Sequence, residues 1–208
     1  MITTFDFNDG NGPVPVHKHP NGGGWVADTA EVDKTAYVGR YAMVYGSARI
    51  YDNARVIDNA KVYGSARVYG SAMVYDNAMV YDNARVFGDA RVYGSAKVYD
   101  NAKVFGNAKV YDNALVYDNA MVYDNAKVYD NARVYDNARV FGDAMVYYNA
   151  IVYYNARVYD NVKVYGNSMV FGDTCHRPSA RAEKSDTNEY IFIEMNDKRY
   201  KLVEVEKS

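Results

Sequence analysis

A six-residue repeat occupies most of this chain and restricts the folds that it can adopt. From Val26 to Val170 every sixth residue is aliphatic, without insertion or deletion, which makes twenty-five units. The usual unit is Ala-x-Val-Tyr-Asp-Asn, in which Gly-Ser, Gly-Asn or Gly-Asp sometimes replaces Asp-Asn. A period of six does not match the 3.6-residue turn of an α-helix, and Gly, Asn or Asp in every unit would interrupt one. The repeat therefore predicts strands joined by tight turns.

Alternation within the unit predicts which side chains lie inside. Ala-x-Val-Tyr predicts a four-residue strand whose alternate side chains point to opposite faces. Ala and the aliphatic residue, such as Ala48 and Ile50, are small and apolar, so we expect them inside. Residue x, usually Lys, Arg or Met, and the following aromatic residue are expected outside. The nearly invariant Ala indicates a narrow interior, with Val162 and Ser168 as late exceptions.

Nearly every unit places a small residue four positions after the aliphatic one. This pattern resembles the repeat of the bacterial hexapeptide-repeat proteins. Units 26–31, 32–37 and 38–43 also match that family's small or acidic second position, where later units place Tyr or Phe. The resemblance covers roughly 70% of the chain. It implies an all-β fold: a left-handed parallel β-helix solenoid of about eight triangular coils, with three units per coil.

The segments that flank the repeat lack its pattern. Turn-forming Gly and Pro clusters precede it, with Phe5, Phe7 and Trp25 as apolar anchors, and a solenoid needs its first coil covered. Alternating apolar residues near the C-terminus predict a β-hairpin. The predicted organisation is an N-terminal cap at 1–25, the β-helix at 26–173, a linker at 174–187 and a C-terminal β-hairpin at 188–208.

Composition narrows the class of protein. The formal net charge of −2 argues against a purely electrostatic nucleic-acid binder. The single cysteine, Cys175, rules out an intrachain disulfide and favours a reducing compartment. No basic N-terminal segment precedes an apolar run, and no apolar stretch approaches the roughly 18 residues of a membrane span. We expect a cytoplasmic protein, as a phage-encoded protein in its host would also be, without a membrane partner.

If three units make one coil, residues eighteen positions apart stack in columns on three outward faces. The arginine face carries Arg49, Arg67, Arg85, Lys103, Met121, Arg139 and Arg157. The mixed face carries Arg55, Met73, Arg91, Lys109, Lys127, Met145 and Lys163. The apolar face carries Met43, Lys61, Met79, Lys97, Leu115, Arg133, Ile151 and Met169, beside an aromatic column that runs from Tyr45 to Phe171.

The apolar face is the least charged, and large apolar patches usually mark contacts. Met and Tyr are enriched at protein interfaces, whereas Lys is depleted. We therefore predict self-association into a dimer or trimer through this face, with another protein as an alternative partner. In a further alternative, stacked tyrosines leave only hydroxyl edges in water and the face stays free. The predicted interface residues are Met43, Tyr45, Met79, Tyr81, Leu115, Tyr117, Ile151, Tyr153, Met169 and Phe171.

Two other columns are candidate ligand sites. Cations interleaved with aromatic rings on the arginine face are typical of sites for nucleotides or single-stranded nucleic acid. The slightly negative net charge favours the alternative, in which the guanidinium groups stack on rings and pair with corner acids. The ligand candidates are Arg49, Arg67, Arg85, Lys103, Arg139 and Arg157.

A column of corner acids is a candidate cation site. The column consists of Asp82, Asp100, Asp118 and Asp136. Asx turns whose charge is balanced by nearby Lys and Arg explain this column more simply.

Many hexapeptide-repeat proteins are acyltransferases, so the resemblance implies a histidine base between subunits and acyl-coenzyme A along the helix. Residues 26–173 contain no histidine and no inserted loop that could build that pocket. His17 and His19 are the remaining candidates for catalysis or, in a trimer, for zinc. We expect a non-enzymatic structural or interaction scaffold without a cofactor. The alternatives are a transferase with its site near His17 and His19, and a nucleotide or nucleic-acid binder.

Overall fold

The computed structural model of the chain describes residues 3–172 and the backbone of residues 190–195 and 198–203. Every regular element in these described segments is a β-strand, so none of them contains a helix that could cross a membrane. Three long sheets run along the molecule, one beneath each of the three faces. The chain is therefore an all-β protein, as the repeat predicts.

Within the repeat, the strands of each long sheet come from every third unit. The apolar-face sheet has eleven strands, which are Thr4–Phe5, Val14–Lys18, Trp25–Ala27, Met43–Val44, Lys61–Val62, Met79–Val80, Lys97–Val98, Leu115–Val116, Arg133–Val134, Ile151–Tyr153 and Met169–Phe171. The arginine-face sheet has eight, which are Glu31–Val32, Arg49–Ile50, Arg67–Val68, Arg85–Val86, Lys103–Val104, Met121–Val122, Arg139–Val140 and Arg157–Val158. The mixed-face sheet also has eight, which are Tyr37–Val38, Arg55–Val56, Met73–Val74, Arg91–Val92, Lys109–Val110, Lys127–Val128, Met145–Val146 and Lys163–Val164.

Parallel pairing at an offset of eighteen residues builds the solenoid. Lys97, for example, pairs with Leu115, which begins the equivalent strand one coil later. The backbone N–H of Tyr99 donates to the carbonyl oxygen of Val116 at 3.1 Å, and equivalent bonds recur along the array. Three units therefore form each coil, and the predicted β-helix of about eight coils is confirmed.

The core consists of one Ala and one aliphatic side chain from each unit. From Ala36 to Val158 all of these side chains are completely buried. The two late exceptions lie in the last coil, where Val162 is only partly buried and the Ser168 hydroxyl donates to the carbonyl oxygen of Tyr165 at 2.6 Å. The interior elsewhere leaves room only for Ala, because a larger side chain would overpack it.

The backbone geometry at the corners explains why Asp and Gly recur there and why the strands are short. In each unit from Gly46 to Gly172 the first corner residue has a φ between 55° and 96°. Gly and Asp reach this left-handed region more easily than other residues do. The turn is closed by the N–H of the next Ala, as between Ala78 and the carbonyl oxygen of Tyr75 at 3.3 Å. Because the aromatic residue and Ala usually belong to the turn, most strands of the repeat contain two residues, three of them contain three, and none has the predicted four.

The N-terminal segment covers the first coil, as predicted for a cap. Val14–Lys18 pairs in antiparallel register with Thr4–Phe5 on one side and with Trp25–Ala27 on the other. Gly24 lies directly on the first coil, because its N–H donates to the carbonyl oxygen of Val38 at 2.9 Å. A Cβ atom at Gly24 would collide with the backbone there.

The predicted C-terminal hairpin is also present. Tyr190–Met195 and Lys198–Val203 pair in antiparallel register, with Tyr190 opposite Val203 and Met195 opposite Lys198. The predicted linker at 174–187 lies outside the described residues.

Two adjacent units have neither Asp nor Gly as the first corner residue. Tyr148 and Tyr154 occupy the position that Asp or Gly fills in the other units from Gly46 to Gly172, with φ values of 57° and 56°. Tyr41, another exposed corner tyrosine, does not have a positive φ. A bulky side chain in the left-handed region costs about 1–2 kcal/mol.

We expect Tyr148→Asn to increase the free energy of unfolding by about 1 kcal/mol relative to Tyr41→Asn, because Asn tolerates positive φ and the second substitution relieves no strain. Urea denaturation of both variants measures this difference. Equal changes in the two variants would show that Tyr148 is unstrained.

Candidate functional site

A continuous stack of aromatic rings runs along the apolar face. It begins with Phe7, whose ring lies 4.4 Å from that of Tyr45, and it continues to Tyr153, beyond which the ring of Phe171 lies 5.3 Å away and is tilted by 36°. From Tyr45 to Tyr135 the ring centroids are 4.8–4.9 Å apart and the planes lie within 7° of parallel. This spacing equals the separation of neighbouring strands and suits offset stacking of rings. The predicted tyrosine ladder is confirmed.

The outward column beside this ladder is mostly apolar. Five of its eight residues are Met, Leu or Ile, compared with one of seven on the arginine face and two of seven on the mixed face. Leu115 and Ile151 are half-buried between their neighbours, and Met169 is exposed. The structure places the ten predicted interface residues along one sheet, but Tyr45 is only 6% exposed because Phe7 of the N-terminal segment covers its ring, so Tyr45 is not available to a partner.

Exposed apolar side chains concentrate at the C-terminal end of this face. Tyr148 and Tyr154 are 55% and 58% exposed, and they occupy the corners before and after the strand Ile151–Tyr153. Phe171, in the next coil, is 53% exposed. Sequence reasoning missed both corner tyrosines as surface residues of this face. The replacement of the usual Asp or Gly by Tyr at both corners was a visible signal.

The arginine face presents cations that have few partners. Arg49 pairs with Glu31 at 3.2 Å. Within residues 3–172, the other five predicted ligand residues of this face make no ion pair and do not lie over a ring. The expected stacking of guanidinium groups on the neighbouring rings occurs elsewhere, where Arg55 lies over Tyr37 at 5.3 Å.

The column of corner acids has a structural partner in the backbone. The carboxylate of Asp100 accepts a hydrogen bond from the backbone N–H of Asp118 at 3.4 Å. Asp118 and Asp136 accept in the same way from Asp136 and Tyr154, at 3.3 and 3.1 Å. These bonds join successive coils and are not the Asx turns that the sequence suggested. No group of three or more His, Cys, Asp or Glu side chains suited to a metal ion occurs in the described residues.

His17 and His19 project into different surroundings. His17 is half exposed, and its Nδ1 lies 2.8 Å from a carboxylate oxygen of Asp28. His19 is buried, and its Nε2 lies 3.1 Å from the carbonyl oxygen of Asp33 in the first coil. Nδ1 of His19 lies 3.1 Å from the carbonyl oxygen and 3.3 Å from the backbone nitrogen of Asn21. The contacts of His19 thus fasten the N-terminal segment to the solenoid.

The stacked environment alters the acidity of the phenols. Burial, reinforced by the neighbouring phenols of Tyr99 and Tyr135, raises the pKa of Tyr117 to about 12. Burial also raises the pKa of Tyr45 and Tyr81 above the ordinary value near 10. Neighbouring phenols act in the same direction because two phenolates one strand spacing apart repel each other.

Comparison with known families agrees with this architecture. The family described as the YdcK β-solenoid repeat matches five segments, which together make up less than half of the chain and are 48–64, 84–100, 108–124, 126–140 and 138–154. The chain is a β-solenoid repeat protein. The matched segments span units from all three faces, so the match concerns the coil itself. A search of the curated proteins found no match.

The raised pKa values predict how the stability of the solenoid depends on pH. A phenol with a higher pKa in the folded state binds its proton more tightly there, so its contribution to stability is complete below about pH 10 and is lost as the pH rises towards 12. We expect a denaturation midpoint that changes little up to about pH 9 and falls steeply above pH 10.

A spectroscopic titration of tyrosinate absorbance provides the matching test. The native chain should ionise at higher pH and over a broader range than the chain in denaturant, because stacked phenols titrate together. Overlapping curves for native and denatured chain would refute this prediction.

Proposed function

We propose that this protein is a non-enzymatic β-solenoid scaffold that associates with a second copy of itself through the apolar face. The observation that carries the proposal is the mostly apolar outward column of this face, because stacked rings line the other two faces as well. We also propose that the coil is of the hexapeptide-repeat type, as its aliphatic residue at every sixth position and its small inward residue suggest.

The surface chemistry supports a protein contact. Flat, rigid aromatic and aliphatic residues bury area with little loss of conformational entropy, which is why such residues are enriched at interfaces. Exposed Tyr148, Tyr154 and Phe171 extend the same surface around its C-terminal end. A mostly apolar surface of this kind on an isolated chain favours association.

The backbone supports a rigid role. Each coil is hydrogen-bonded to the next on three sheets, and the core side chains from Ala36 to Val158 are completely buried. Such a rod can hold binding surfaces at fixed separations, which suits a scaffold. A transferase site near His17 and His19 fits less well, because the contacts of His19 are those of a residue that fastens the cap.

An anionic ligand is the second candidate, and the cations of the arginine face that lack ion pairs within residues 3–172 favour it. Phosphate groups of a nucleotide or single strand suit a column of Arg and Lys beside aromatic rings. Acidic corner residues flank this face, however, and reduce its positive potential. Self-association therefore remains the preferred function.

Leu115→Glu should weaken self-association at least tenfold. The substitution removes a contact worth about 1.5–3 kcal/mol and introduces a charge into the proposed interface. Met121→Glu is the matched control, since Met121 is also half-buried and occupies the same position in the next unit, on the arginine face. Sedimentation equilibrium of the unmodified chain and both variants measures the dissociation constants.

Circular dichroism establishes that both variants remain folded. Equal dissociation constants for Leu115→Glu and Met121→Glu would exclude the apolar face as the interface.

A further inference from the structure

Charge alternates along the apolar face from coil to coil. The preceding strand of this sheet, Trp25–Ala27, pairs in parallel with Met43–Val44, but the ring of Trp25 is already covered by Phe5 and by Lys18, whose Nζ lies 3.5 Å from the ring centroid. Coils are therefore counted from the strand Met43–Val44 to the strand Met169–Phe171, and cations occupy the second, fourth and sixth of these, where Lys61, Lys97 and Arg133 lie. Apolar residues occupy the other five. The pairing register places Met79 against Lys97 and Lys97 against Leu115 in neighbouring strands, so the alternation follows the solenoid axis without a break in this part of the face.

This alternation distinguishes the ways in which two copies can meet. If two copies lie side by side with their axes parallel, a two-fold axis brings each coil opposite the same coil of the partner. Lys61, Lys97 and Arg133 would then each face an identical cation. Like charges directly opposite each other destabilise a contact, and more so when the surrounding surface is removed from water.

An antiparallel arrangement removes this conflict. With the two axes antiparallel and Met43 of each copy opposite Met169 of the other, the first counted coil lies opposite the eighth, and each cation lies opposite an apolar residue. The resulting pairs are Met43 with Met169, Lys61 with Ile151, Met79 with Arg133, and Lys97 with Leu115. The aliphatic stems of Lys and Arg pack against apolar surfaces while their charged ends reach the rim.

Neighbouring antiparallel registers are less favourable. A shift of one coil in one direction places Lys61 opposite Arg133 and Lys97 opposite its own copy. A shift in the other direction places Lys97 opposite Arg133. The alternation of charge therefore excludes the registers one coil away, and a shift of two coils, which also avoids opposed cations, gives up contact between two of the eight counted coils.

From this pattern we infer that the apolar face binds a second copy of the chain in antiparallel orientation, with Met43 of each copy opposite Met169 of the other. The inference rests on the proposed self-association and specifies its geometry. The same surface is used on both copies, so the assembly closes as a two-fold dimer. Of the dimer and trimer expected from the sequence, this geometry supports the dimer.

Cysteine crosslinking tests the arrangement. In a Cys175→Ser background, Lys61→Cys and Ile151→Cys are prepared separately, one of them with a tag that identifies it by size. A short bis-maleimide should crosslink the mixture of the two variants into a heterodimer. Neither variant alone should crosslink, because two copies of one position would be separated by five coil spacings of 4.8 Å, about 24 Å.

Met73→Cys mixed with Met145→Cys is the matched control on the mixed face and should give no product. Crosslinking of either interface variant with itself, or of none although light scattering shows a dimer, would overturn the antiparallel geometry and leave self-association standing. A monomer at all concentrations would overturn the proposed function together with this inference. A heterodimer from the mixed sample alone confirms the geometry.

Discussion

Backbone hydrogen bonds between successive coils set the dimensions of the whole molecule. The N–H of Tyr99 reaches the carbonyl oxygen of Val116, and the repetition of this bond fixes both the eighteen-residue coil and the strand spacing. Once that spacing is fixed, every outward residue lies directly above its equivalent in the next coil. The chemistry of a column, and not that of a single side chain, then decides what each face can do.

Stacking identical residues has opposite consequences for different side chains. Aromatic rings such as Tyr81 and Tyr99 gain from it, because a 4.9 Å separation suits offset stacking. Carboxylates repel one another, and the structure relieves this when Asp118 accepts a hydrogen bond from the next coil. Cations on the apolar face are instead separated by apolar residues, and this separation is the pattern from which the dimer geometry was inferred.

Much of the fold could be predicted from the sequence because the period alone determines the columns. The inward Ala and Val, the three faces and the ladder from Tyr45 to Phe171 all follow from positions eighteen residues apart. The two-residue strands could not be predicted, because the turn that begins at the aromatic residue depends on backbone angles that the pattern does not specify.

The candidate site was predictable as a surface but not in its details. The role of His19 depends on Asp33, fourteen residues away, and no local pattern reveals that contact. The carboxylate of Asp100 bonds to the backbone of another coil, so it is invisible until the coils are stacked. Tyr148 and Tyr154 were visible exceptions, yet their exposure follows only from the corner geometry.

The solution mass of the unmodified chain tests most directly whether the apolar face is an interface. Light scattering after size exclusion, with the ultraviolet spectrum recorded, should give twice the chain mass of 23.4 kDa and an absorbance ratio typical of protein alone. A monomer would contradict self-association through the apolar face. Absorbance in excess of that expected for protein would instead indicate a nucleotide or nucleic acid bound to the arginine face.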